Sequence, residues 1–133
     1  MDDEVRTVIM SDADIVIARQ QGRVLAEHIG FSGSDLTIIA TAISEVARNI
    51  IKFAKRGEII VQSHERTPHR GIIVIARDQG PGIPDIGLAM EDGFTTGKGL
   101  GMGLPGCRRL MDEFEIESSP GAGTVVTMKK WVL

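Results

Sequence analysis

Cysteine is almost missing from this chain: Cys107 is the only one in 133 residues. No internal disulfide can form, and a reducing, cytoplasmic setting is expected. A basic excess is missing too. Fifteen Lys and Arg stand against 18 Asp and Glu, for a formal net charge of -3, which provides no field for nucleic-acid phosphates. No apolar run reaches the roughly 18 residues needed to span a bilayer, and the opening Met1-Asp2-Asp3-Glu4 lacks the basic and apolar regions of a secretory signal. These absences argue against nucleic acid and membrane as partners. His28, His64 and His69 are scattered and give no metal-ligand spacing. No repeat, low-complexity tract or Pro/Ser linker divides the chain, so one domain over residues 1–133 is expected.

Glycine, by contrast, is abundant. Average usage would give about nine residues in a chain of this length; there are 16, nine of them between Gly80 and Gly106. The excess sits where regular patterning fails. Before it, Val5 to Met10 reads as a strand, and Ser11-Asp12-Ala13-Asp14 has the spacing of a reciprocal helix cap. Ile15, Ala18, Leu25, Ala26 and Ile29 then recur at helical spacing up to Gly30. The strongest period runs from Leu36 to Ala54, through Ile39, Ile43, Val46 and Ile50. Lys55 and Arg56 suit the negative end of that helix, and Gly57 suits a left-handed position just past it.

Glu58 to His64 and Gly71 to Asp78 read as two strands around a turn containing Pro68. Gly80 to Gly103 is far longer than an ordinary loop, with a short helical stretch expected only around Ile86 to Met90. Leu104 to Met111 resumes helical spacing, Phe114 to Ser118 reads as a short strand, and Thr124 to Val132 reads as a closing strand after Pro120-Gly121-Ala122-Gly123. The expected fold is α+β, a two-layer sandwich with helices on one face of a mixed, mostly antiparallel sheet.

Glycines allow backbone N–H groups to approach an anion, and a helix start adds unpaired donors. The run from Gly97 to Gly106 ends in such a start, with Pro105 compatible with its first turn. It is not a Walker A loop: Gly93 to Gly99 is one residue short between glycines, and Gly99 stands where Ser or Thr must hold a metal. Gly101 to Gly106 matches G-x-G-x-x-G but follows a loop, and too little chain remains for a dinucleotide-binding unit. A protein-kinase glycine loop would require a later catalytic loop and metal-binding Asp. A glycine-rich lid of another kind and a plain surface loop both remain open on this segment.

Glu45 and Asn49 are four apart and share a helical face. They lie about 190° and 230° from the centre of the apolar stripe, so both are expected to point away from the core. A solvated polar face is one reading. The other pairs Asn49, a neutral oxygen suited to Mg²⁺, with a carboxylate one turn away that could act as a base. Arg48 between them is expected to pair with a surface acid. Asp78 shares strand parity with Ile72, Val74 and Ala76, which places its carboxylate on their face of the sheet; if buried, it needs partners. N–H groups of the turn Asp78-Gln79-Gly80-Pro81-Gly82 or an exocyclic amine would serve. Thr124, on the parity of Val126 and Met128, reaches the same face. Cys107 has no sequence neighbour able to activate it and is expected to be a packing residue. Trp131 falls on the opposite parity and is expected to be exposed as a partner surface.

Four segments in order resemble the boxes of the GHKL ATPase/kinase superfamily, whose nucleotide site is built on the Bergerat fold: Glu45-Val46-Ala47-Arg48-Asn49, Asp78-Gln79-Gly80-Pro81-Gly82, Gly97 to Gly103, and Gly121-Ala122-Gly123-Thr124. The sequence is most similar to the RsbT-type switch kinases of the bacterial stressosome, through Ile43 to Ile50, Asp78 to Ile86, Met90 to Phe94, Gly103 to Gly106 and Arg109 to Phe114. That resemblance implies ATP and Mg²⁺ as cofactors. Asp78 would accept the adenine amino group, with Gly80 and Gly82 close to base and ribose and Thr124 fixing Asp78 or a water. Asn49 would hold the metal, and Gly97, Lys98, Gly99, Leu100, Gly101, Met102, Gly103 and Leu104 would close over the phosphates. Glu45 would be the general base of a protein serine/threonine kinase. The resemblance also implies its partners: STAS-domain scaffold proteins as substrates and, after release, a PPM-type phosphatase that the kinase activates. An anti-sigma-factor serine kinase and a non-catalytic nucleotide-sensing module are the alternatives.

Overall fold

The computed structural model describes residues 3–66, 68–82, 90 and 103–133. In chain order these form β1 (Glu4–Ile9), α1 (Asp12–Ile29), α2 (Ser34–Ala54), β2 (Gly57–Arg66), β3 (His69–Asp78), α3 (Gly103–Leu110), β4 (Glu113–Ser119) and β5 (Gly123–Trp131). The strands make one sheet in the order β1-β2-β3-β5-β4, and every pairing is antiparallel. The expected α+β sandwich is therefore found, with a wholly antiparallel sheet among the described residues. The helical stretch expected around Ile86 to Met90 and the lid residues Gly97, Lys98, Gly99, Leu100, Gly101 and Met102 fall outside them, except that Met90 is half-buried beside the core.

Strand alternation sorts the sheet into two faces. Ile59, Val61, Ile72, Val74, Ala76, Val126 and Met128 point toward the helices and are buried with Ile39, Ile43, Val46 and Ile50 of α2. The other face carries Glu113, Glu115 and Glu117, all exposed. Gly22 lets α1 lie close on α2: a Cβ there would stand 2.2 Å from Ile43 Cδ1. At the start of α1 the Asp14 carboxylate accepts the Met10 and Ser11 N–H groups, at 2.9 and 3.1 Å. At its end Arg70 donates to the Ile29 carbonyl at 2.9 Å, satisfying one of the orphan acceptors of a helix C-terminus.

Three expectations need correction. The left-handed residue closing α2 is Lys55, with φ 67°, and not Gly57. Gly57 is already in β2, opposite Asp78. Glycine is required there for space, since a Cβ would meet Arg77 O at 2.5 Å and Ile50 Cγ2 at 2.8 Å. The β2–β3 turn is tighter than six residues, because the ladder continues to the pair Arg66–His69. Finally, Trp131 is on the outward face but only partly exposed. Its ring meets His64 edge-on at 5.2 Å and lies tilted to His69 at 6.2 Å, and its Nε1 donates to Glu113 at 2.8 Å.

Candidate functional site

Where β3 and β5 end against α2, the side chains of Val46, Asn49, Ile50, Phe53, Ala76, Asp78, Leu104, Thr124 and Val126 line a cleft. Three elements meet here because each carries a polar residue at the limit of its apolar stripe. On α2 it is Asn49, which is half-buried. On the sheet it is Asp78 and Thr124, directly paired across β3 and β5.

Asp78 is half-buried, as its parity predicts. One carboxylate oxygen, Oδ1, accepts the Gly80 N–H at 2.9 Å, so the local turn supplies a partner and fixes the side chain. Thr124 is 7% exposed. Its hydroxyl pairs with the Ser118 hydroxyl at 2.8 Å, and Ser118 also donates to the Gly123 carbonyl at 3.1 Å. Ser118 is the residue that sequence reasoning missed. The signal was present, because Phe114, Ile116 and Ser118 alternate with Glu113, Glu115 and Glu117, which puts Ser118 on the helix-facing side of β4 opposite Thr124.

The glycines of this region are dictated by the protein's own packing. Gly123 has φ +83°, and a Cβ would stand 2.1 Å from the Asp78 carbonyl oxygen. Gly82, also at φ +83°, would place a Cβ 2.3 Å from the Ser119 carbonyl oxygen. Gly80 would clash with Ala54 Cβ at 2.5 Å. The Pro81 carbonyl accepts the Gly121 N–H at 2.9 Å, so the two glycine-containing turns are tied to each other beside the cleft.

Glu45 does not behave as its helical angle predicts. It faces away from the apolar stripe, yet it is only 7% exposed, because α3 covers it. The Gly103 N–H, at the first residue of α3, donates to Glu45 Oε2 at 3.1 Å. Arg48 donates to Oε1 at 2.5 Å; it pairs with an acid as expected, but that acid is the buried Glu45 and not a surface one. Helical angle alone cannot report such cover, which comes from an element 58 residues further on. Leu104, next to Gly103, is buried and lines the cleft, so the site brings Glu45, Asn49, Asp78, Gly80, Gly82, Gly103, Leu104 and Thr124 to one end of the molecule.

Cys107, one turn into α3, is fully buried with its Sγ 3.8 Å from the Ala42 carbonyl. Burial, aided by the negative charge of Glu45, pushes its thiol up to about 12, so it is a packing residue and not a nucleophile. Among the described residues, no group of three or more His, Cys, Asp or Glu is arranged to hold a metal ion, and no helix is long and apolar enough to cross a membrane.

Residues 34–132 match the family described as histidine kinase-, DNA gyrase B-, and HSP90-like ATPases. Over 132 residues the chain is 50% identical to the serine/threonine-protein kinase RsbT of Bacillus subtilis, covering 99% of both chains. It is 36% identical over 102 residues to an anti-sigma F factor of Caldanaerobacter subterraneus, covering 74% of this chain and 71% of the relative. In fold it resembles the RsbU and RsbW domains of a Mycobacterium tuberculosis protein, with a TM-score of 0.66 at 21% identity over 98% of this chain. It spans about a third of that longer chain, 32%. The mycobacterial sensor histidine kinase MprB has the same fold at a TM-score of 0.55 and 16% identity, covering 98% of this chain and 97% of MprB. The chain belongs to the histidine kinase-, gyrase B- and HSP90-like ATPase family and, within it, to the group of RsbT-like serine/threonine switch kinases and anti-sigma-factor kinases.

Proposed function

We propose that this protein is an ATP- and Mg²⁺-dependent kinase that phosphorylates a serine or threonine of STAS-domain scaffold proteins and, once released from them, binds and activates a PPM-type phosphatase. The observation that carries the reading is the placement of Glu45 and Asn49 one helical turn apart beside the cleft that holds Asp78 and Thr124. The 50% identity to a serine/threonine kinase over 99% of the chain supports it.

In this reading the apolar walls Val46, Ile50, Ala76 and Val126 enclose the adenine. Asp78, with Oδ1 committed to Gly80, offers its other oxygen to the exocyclic amine. Asn49 would contribute one neutral oxygen to Mg²⁺, which suffices because that ion takes its remaining ligands from water and phosphate. Bound there, the ion would neutralise phosphate charge, the main requirement of phosphoryl transfer besides positioning. Gly97, Lys98, Gly99, Leu100, Gly101 and Met102 close over the phosphates with Gly103 and Leu104. Glu45 takes the proton of the attacking hydroxyl, whose oxygen bonds to the γ-phosphorus; the bond from that phosphorus to the bridging oxygen breaks, and ADP leaves with the electron pair.

The test is transfer of labelled γ-phosphate to a purified STAS-domain protein, read also as a mass shift of one phosphate on the co-expressed partner. Transfer is expected from the intact chain. ATP binding with no transfer to any STAS protein would favour the nucleotide-sensing module instead. The 36% identity to anti-sigma F factors supports one second reading, an anti-sigma-factor serine kinase, and capture of a sigma factor in a pull-down would decide for it.

A further inference from the structure

The carboxylate of Glu45 is held from two sides. Its Oε2 accepts the Gly103 N–H at 3.1 Å from the start of α3, and its Oε1 accepts Arg48 at 2.5 Å from one turn along the same helix. The two ends of the ion pair differ in exposure: the Glu45 side chain is 9% exposed and that of Arg48 is 52%. An exposed arginine reaching in to a buried acid is a poor source of stability, since half-solvated pairs contribute little. It is a good way to fix the plane of a buried carboxylate, because each oxygen then has a donor of its own.

Resting on the reading of Glu45 as general base, we propose that Arg48 is a positioning residue for phosphoryl transfer: it fixes the orientation of the Glu45 carboxylate and does not itself bind the nucleotide. A base must present a free lone pair to the incoming hydroxyl within hydrogen-bond reach. One donor leaves a carboxylate free to rotate about its last bond. Two donors from different elements, one on each oxygen, fix its plane and leave each oxygen a second lone pair.

The experiment uses the full chain with Arg48→Met, Arg48→Lys and Glu45→Gln. Binding is measured with a non-hydrolysable ATP analogue and Mg²⁺, and transfer by single turnover to a STAS-domain protein. Arg48→Met is expected to slow transfer by about 10- to 100-fold, in line with the contribution of a positioned acid–base group. Its affinity for the analogue should stay within about twofold, and its thermal midpoint within about 3 °C. Arg48→Lys, which keeps the charge, should recover a substantial part of the rate. Unchanged transfer in Arg48→Met, with Glu45→Gln inactive, would overturn the role of Arg48 alone. Transfer at the full rate in Glu45→Gln would instead remove the base reading on which it rests. Loss of analogue affinity in Arg48→Met would mean that Arg48 contacts the phosphates, and would equally overturn the inference. Should Arg48→Met fold poorly, Arg48→Gln, which keeps a donor without the charge, takes its place under the same criteria.

Discussion

Asp78 and Glu45 are both carboxylates beside one cleft, yet they are held by different means. Asp78 ends a strand and is fixed by the N–H of a residue two positions away; its setting is local, and only half-buried. Glu45 sits on a helix and owes its burial to Gly103, contributed by α3. The sheet side of the cleft is therefore fixed by backbone register and close backbone contact. The helix side is fixed by side-chain contacts across elements. Damage to the first should weaken nucleotide binding and folding, whereas damage to the second should slow transfer and leave binding intact.

The sharpest way to break that contrast is to remove each carboxylate in turn. Glu45→Ala is expected to lose about 10²- to 10⁴-fold in phosphotransfer, the range for a positioned acid–base group, with nucleotide affinity nearly unchanged. Asp78→Asn should do the reverse to affinity, weakening it by about a hundredfold, because the acceptor proposed for the adenine amine becomes a donor. Nucleotide titration beside labelled γ-phosphate transfer separates the two. Full activity in Glu45→Ala would remove it from the chemistry.

A second pair of changes probes how much of the sheet side rests on backbone contact. Gly121 and Gly123 both have positive φ, at +78° and +83°, but only Gly123 is crowded. Gly121→Ala should cost about 1 kcal/mol, the strain of a left-handed alanine. Gly123→Ala should cost about 3 kcal/mol or more, since a Cβ 2.1 Å from the Asp78 carbonyl oxygen must push the strands apart. Urea unfolding of the two variants gives the difference directly, and equal losses would show that conformation, not crowding, sets the need for glycine.

Much of this was legible in the sequence. Period-two alternation put Asp78 and Thr124 on one face, and the 3.6-residue period of α2 put Asn49 outside the core. Both inferences need only the chain's local geometry. The residues misjudged or missed are those whose setting is tertiary. Glu45 was expected to face solvent because a helical angle cannot know that α3 covers it. Gly57 suits a helix end by its spacing, but its need for glycine comes from Arg77 and Ile50. Ser118 is intermediate: its parity was readable, but its importance appears only once Thr124 stands opposite it. Ser118→Ala is accordingly expected to cost about 2 kcal/mol by removing two hydrogen bonds, to the Thr124 hydroxyl and the Gly123 carbonyl. It should also weaken nucleotide binding more than transfer, because it touches the sheet side alone. A selective fall in the transfer rate would contradict the division between the two sides.

The smallest expected effect lies where the helix side joins the sheet side. Lys55 closes α2 in the left-handed region at φ 67°, a conformation in which glycine meets no Cβ penalty, while two residues later Gly57 is held in β2 by lack of space. The chain thus places its glycine where crowding is greatest and tolerates a lysine where only conformation is strained. Lys55→Gly should gain about 0.5 kcal/mol: relief of the left-handed strain outweighs the added freedom of the unfolded chain and the lost cation at a helix C-terminus. The converse change, Gly57→Ala, should lose several times that amount, because Arg77 O and Ile50 Cγ2 would lie 2.5 and 2.8 Å from the new Cβ. Thermal midpoints moving in opposite directions would establish that crowding outranks conformation at this corner, and a loss in both would mean that the Lys55 cation matters more than its backbone.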